Sequence, residues 1–207
     1  IGIPVSVITD CDVRPYDEDP GTKARTFKEK KTESLEAEKE KNRKYTNGSV
    51  RGFCSPYWTL EYCLAMSCLS EDFHKAVHYG KKILNARETI ALTDRKIAEA
   101  DIDVASETEQ WHDLSREEAA YNMYGLMLND NGSSALKAIV AQCLASILRW
   151  KISIIPDGDS QEKMFDIDLY GYKTDVEKKA ALKTQLEDDK YIGYIVKAIK
   201  YAAGEDV

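Results

Sequence analysis

No apolar run in this chain approaches the roughly 18 uninterrupted residues that a membrane-spanning helix needs, so an ordinary helical membrane protein is excluded and a water-soluble one is expected. The five cysteines, Cys11, Cys54, Cys63, Cys68 and Cys143, form no Cys-x-x-Cys pair and are odd in number, which excludes a zinc ribbon and speaks against a disulfide framework. We read them as reduced thiols of a cytoplasmic protein. Histidine is scarce at three residues. His74 and His78 lie four apart on a predicted helix, but no His-Glu-x-x-His pattern and no third ligand at suitable spacing accompany them, so zinc is not expected there. An excess of positive charge is also lacking. The formal net charge of −7 argues against a uniformly basic nucleic-acid surface, although a nuclease that grips phosphate through metal and a local basic patch can be acidic overall. The opening Ile1-Gly2-Ile3-Pro4 has no initiator Met, no charged leader and no signal-peptide core, and the expectation is a piece of a longer polypeptide.

What is present fits a globular α/β chain: 207 residues with 43% apolar and 31% charged content can bury a proper core. Residues 3–9 are a short, nearly continuous Val- and Ile-rich run, the pattern of a strand covered on both faces. A loop over 13–21 follows, then a charged helix over 22–44 with few apolar positions, docked by a thin stripe. Asn47-Gly48 marks a turn before a second short strand at 49–54. Ser55 and Pro56 read as the cap and first position of a helix, whose buried face is spaced as Leu60, Leu64 and Cys68. Further helices are expected at 71–85, 88–101, 115–129, 133–149 and 187–203. Ser115 and Glu118 form a capping box for the third of these, after a loop holding Trp111 to Asp113. The 152–172 region reads as loop with a short extended piece.

The chemistry-bearing residues cluster at the ends of the two strands. Asp10 and Asp12 alternate at the end of the first, so both can reach one cation if the chain turns there, one of them through water; equally, both can be loop acids that cap a turn. Glu61 sits in the first turns of a helix with apolar neighbours and needs a partner. The free N–H groups and macrodipole of its own helix start are one choice, and a metal ion shared with the aspartates is the other.

Taken together, these segments resemble the C-terminal TOPRIM nuclease domain of the OLD (overcoming lysogenization defect) family of ATP-dependent endonucleases. The likeness rests on IPVSVITDCD, similar to the family's strand ending in Asp-x-Asp, on TLEYCLA, and on LKAIVAQCLASIL at 136–148 and DKYIGYIVKAIKYAAG at 189–204, similar to its last two helices. It spans nearly the whole chain with the motifs in order. The resemblance implies a TOPRIM-like parallel sheet core, truncated at its N-terminus, with a large helical insertion at about 71–129 and C-terminal helices. It implies Mg²⁺ or Mn²⁺ in a two-metal site, with Asp10, Asp12 and Glu61 as metal ligands and catalytic groups. Lys137 would stabilise phosphate charge, or else be a solvated helix residue. The implied reaction is hydrolysis of DNA phosphodiesters by water activation and neutralisation of the leaving 3′ oxygen.

The family also uses a glutamate on an earlier strand and an ABC-type, ATP-binding domain, both upstream of the segment seen here, so this fragment alone is expected to be inactive or weakly active. Implied partners are DNA, the ATPase domain of the same polypeptide and further copies in a homo-oligomer, with no membrane; phage defence is the implied role. The window Lys23 to Lys31 carries five basic residues against one acid and can track DNA phosphates or form a solvated helix face. A different class stays open, a non-catalytic protein-interaction domain with an incomplete site, in which the carboxylates lie apart or are neutralised by Lys or Arg.

Overall fold

In a computed structural model of the chain, the described residues are 2–21, 29–85, 92–128, 133–165 and 171–206. The fold is mixed and mostly helical, with strands β1 (Val5–Thr9) and β2 (Val50–Cys54) and helices α1 (Lys31–Tyr45), α2 (Leu60–Met66), α3 (Ser70–Leu84), α4 (Asp94–Gln110), α5 (Arg116–Leu128), α6 (Ser133–Lys151), α7 (Val176–Asp188) and α8 (Gly193–Ala202). The chain divides into two compact units, one made of residues 1–68 and 184–207, the other of 69–183.

The first unit is built on the parallel pairing of β1 with β2, in a register that sets Val5 beside Val50 and Thr9 beside Cys54. A parallel pair needs a crossover, and α1 supplies it. α1 lies so close to β2 that a Cβ on Gly52 would stand 3.0 Å from both the Asn42 carbonyl and the Tyr45 Cβ. Its side chains also satisfy the edge of β2 that β1 leaves open: Asn42 Oδ1 accepts from Cys54 N at 2.7 Å and Thr46 Oγ1 from Gly52 N at 3.0 Å. α8 packs against both strands, with Ser6 Oγ donating to the Ala198 carbonyl and Tyr201 Oη to that of Ser49 at 3.1 Å.

β1 departs from the expected strand covered on both faces, since Val5 is 45% and Ile8 49% exposed. The reason is the size of the sheet: among the described residues β1 has a single neighbour, so its outer edge and part of both faces meet solvent. The expected helix start at Ser55 is also displaced. Thr59 caps α2, accepting from Tyr62 N at 3.3 Å, while Ser55 Oγ accepts from Cys11 N at 2.8 Å and donates to the Tyr57 carbonyl at 2.9 Å.

In the second unit, α3 packs on α6. Phe73, Ala76 and Val77 from α3 and Leu136, Val140, Cys143 and Ile147 from α6 are buried. Gly80 permits the close approach, because a Cβ there would stand 2.9 Å from Val140 Cγ2. The capping box holds: Ser115 Oγ accepts from Glu118 N at 3.2 Å, and Glu118 Oε2 accepts from Ser115 N at 3.0 Å. α4 runs to Gln110, past the predicted end at 101, and Asp101 in its middle accepts from Tyr79 Oη at 2.9 Å. α7 was not foreseen, for it buries none of its residues and so has no apolar stripe to read. The helices expected at 71–129 all fall in this unit, which runs on to Lys183.

No described helix is long and apolar enough to cross a membrane. All five cysteines are free thiols, and four of them are buried.

Candidate functional site

The parallel register brings the loops that follow β1 and β2 to one edge of the first unit, and their backbones are sewn together. Ser55 N donates to the Thr9 carbonyl at 2.9 Å and Asp12 N to that of Trp58 at 2.8 Å. Asp10 Oδ1 accepts from Leu60 N at 2.9 Å, so this carboxylate meets the first turn of α2, where a negative charge is favoured. Glu61 is the next residue on that turn.

Asp12 adopts a left-handed backbone at φ 65°, which an Asp tolerates better than most residues. Its Oδ2 forms a short ion pair with Lys41 Nζ from α1, and the same ammonium donates to the Asp10 carbonyl at 2.7 Å. Burial works against the charge of Lys41, but the hydrogen bond and charge of Asp12 outweigh it, so Lys41 titrates above its ordinary value. The carboxylates are hard donors of the kind Mg²⁺ and Mn²⁺ take. Their arrangement does not fit a shared cation as it stands. Asp10, Asp12 and Glu61 do not form a group with ligand atoms all within 4.8 Å of one another, and Lys41 supplies the positive charge beside Asp12.

One residue of this neighbourhood escaped sequence reasoning. Tyr194 of α8 has a buried hydroxyl with no hydrogen-bond partner among the described residues. Burial pushes its phenol well above the ordinary value, and the neighbouring acidic groups Cys63, Asp10, Cys54 and Glu61 push the same way. Tyr194 also helps line a cleft of about 570 Å³ with Glu38, Asn42, Arg51, Phe53 and Lys197. As one of twelve tyrosines it carried no local signal.

Lys137 belongs to α6 in the second unit. It is half-buried, its Nζ donates to Tyr124 Oη at 3.4 Å, and it lies over the Tyr124 ring at 5.5 Å from the centroid. Of the basic window, 22–28 lies outside the described residues. Lys30 pairs with Asp17 at 2.9 Å and Lys31 with Glu29 at 3.1 Å. Tyr57 and Trp58 pack against Tyr191 and Tyr62 respectively.

A second constellation lies within the 69–183 unit. His74 and His78 of α3 both direct Nε2 at Glu107 Oε2 of α4, at 2.7 and 2.8 Å. Both imidazoles are buried. A third donor is therefore present in space, 29 residues beyond His78, where local spacing does not reveal it.

No family model, no curated protein and no solved structure matches this chain.

Proposed function

We propose that this chain is the TOPRIM region of an OLD-family endonuclease, a metal-dependent hydrolase of DNA phosphodiesters that works with an ATPase domain of the same polypeptide. The observation that carries the reading is the parallel pairing of β1 with β2, which sets Asp10 and the Glu61-bearing turn of α2 at one carboxyl edge, the place where open α/β sheets gather ligands. The half-exposed Val5 and Ile8 on β1 suit a larger sheet, since the reading includes a further strand with its own glutamate. Mg²⁺ or Mn²⁺ is the proposed cofactor and DNA the proposed substrate. In this reading Lys41 stands in for a cation and must give way before Asp12 can act as a ligand.

A second reading is favoured by that same ion pair: a non-catalytic protein-interaction domain, in which Lys41 permanently neutralises Asp12. Mn²⁺ binding by calorimetry separates the two. The nuclease reading expects binding by the chain, loss of it in Asp10→Ala and tighter binding in Lys41→Ala, with plasmid nicking by a longer polypeptide that adds the upstream strand. No binding by either the chain or Lys41→Ala, together with no nicking, would leave the interaction domain as the better account.

A further inference from the structure

We infer that His74, His78 and Glu107 form a binding site for a zinc-class divalent cation, built between α3 and α4 and separate in its ligands from the carboxylates of the proposed nuclease site. The three ligand atoms lie within 4.8 Å of one another. The local geometry explains why. His74 and His78 are one helical turn apart, which stacks their rings on one face of α3 with centroids 5.2 Å apart. Both then point at a single oxygen, Glu107 Oε2.

Two imidazole nitrogens and one carboxylate oxygen thereby stand together in one place, the donor number and type of a three-ligand zinc site. A tetrahedral Zn²⁺ bound at about 2.1 Å from each ligand needs those atoms about 3.4 Å apart. The present separations of 2.7 and 2.8 Å require an opening of about 0.6–0.7 Å, within the reach of side-chain torsions.

The surroundings hold the rings for this task. The His74 ring stacks on Trp111 at 5.2 Å and 20°, which fixes its plane. His78 Nδ1 lies 3.9 Å from Asp103 Oδ2, one turn before Glu107 on α4. A metal-bound imidazole transfers its remaining proton to the far nitrogen and donates it to an outer partner, commonly a carboxylate. Asp103 is the carboxylate on that side of the ring, short of hydrogen-bond distance by about 1 Å, and Lys82 pairs with it at 3.0 Å. The side chains of His74 and His78 are only 4% and 8% exposed, while Glu107 is 22% exposed and lines a cleft of about 400 Å³ with His78, Asp103, Ser106 and Gln110. The cleft gives a cation both an entry path and a fourth coordination position for water.

Two nitrogen donors with one carboxylate select Zn²⁺ and its late transition-metal neighbours over Mg²⁺, which prefers oxygen alone. The residue after His74 is Lys75, where zinc proteases of the His-Glu-x-x-His kind carry their general base, so the inference is of a metal site and not of peptide hydrolysis.

The test is titration of the metal-free full chain with Zn²⁺ by calorimetry, with Co²⁺ as a visible probe. One equivalent of Zn²⁺ is expected, unaffected by excess Mg²⁺. Glu107→Gln and His78→Asn should each weaken binding at least about tenfold, the lower end of what even an outer partner contributes in such sites. The Co²⁺ complex should show the visible bands of a tetrahedral nitrogen and oxygen site, without the intense ultraviolet band of thiolate ligation. If a variant fails to fold, the wild-type chain still decides: Zn²⁺ must shift the imidazole resonances of His74 and His78 in NMR spectra. Absence of binding, binding unchanged in folded variants, a thiolate band, or His74 and His78 resonances that Zn²⁺ leaves unmoved would each overturn the inference.

Discussion

Cys11 lies between the two aspartates, and its environment differs from that of every other thiol in the chain. Its hydrogen bond with Cys54 lowers its pKa to about 7 against the opposing effect of burial, while Cys54 is pushed up by the same bond. Cys63 and Cys143 are pushed up to about 12 by burial. Reactivity needs both thiolate and access, and Cys11 is only 1% exposed. Thiol labelling of the native protein at neutral pH should therefore modify Cys68 first, Cys11 slowly, and Cys63 and Cys143 only after unfolding. Peptide mapping of the labelled sites checks this. Rapid native labelling of Cys63 or Cys143 would contradict their burial.

At the scale of elements, the approach of α3 to α6 at Gly80 is sensitive to mutation. Gly80→Ala places a methyl 2.9 Å from Val140 Cγ2, a methyl on a β-branched side chain with little freedom to retreat. Overpacking of this kind costs about 1–3 kcal/mol. Denaturant unfolding should show that loss, and Val140→Ala in the same chain should destabilise by less than the sum of the two single changes, because the pair shares one space. Additive effects would mean that the helices do not meet at Gly80.

Elements and sites were legible where their determinants are local. The capping box of Ser115 and Glu118 works through residues three apart, β1 followed from a short apolar run, and β2 from the turn signal of Asn47-Gly48 before it. Ser55 misled because a long-range demand outbids the local one: its hydroxyl serves Cys11 N, 44 residues away. The same distance hid the partners that decide the candidate sites. Lys41 meets Asp12 across 29 residues and Glu107 meets His74 across 33, and no local pattern carries either contact. Asp10 and Glu61 could be picked out as polar groups at the ends of apolar segments, but the Lys41 that pairs with Asp12 comes from α1, which no pattern around Asp12 reveals.

On the scale of the whole molecule, each compact unit has its own core and its own candidate cation chemistry, carboxylate oxygens in residues 1–68 and imidazoles in 69–183. Scanning calorimetry of the full chain should resolve two unfolding transitions. Zn²⁺ should raise one of them alone, and Glu107→Gln should abolish that rise without moving the other. A single transition shifted as a whole by Zn²⁺ would show that the units unfold together.

The first unit draws on two stretches of chain separated by more than a hundred residues, whereas the second is continuous. This difference orders events during synthesis. Everything in 69–183 can find its partners as soon as that stretch has left the ribosome, through contacts of modest loop-closure cost. The β1 and β2 pair is made earlier yet must wait for Gly193–Ala202 to cover it, so its apolar face is open for the whole time the intervening residues are being added. Within residues 1–207 the nascent chain is thus most vulnerable to misassociation, and most in need of a chaperone, at the β1 and β2 pair, which emerges well before the helix that covers it.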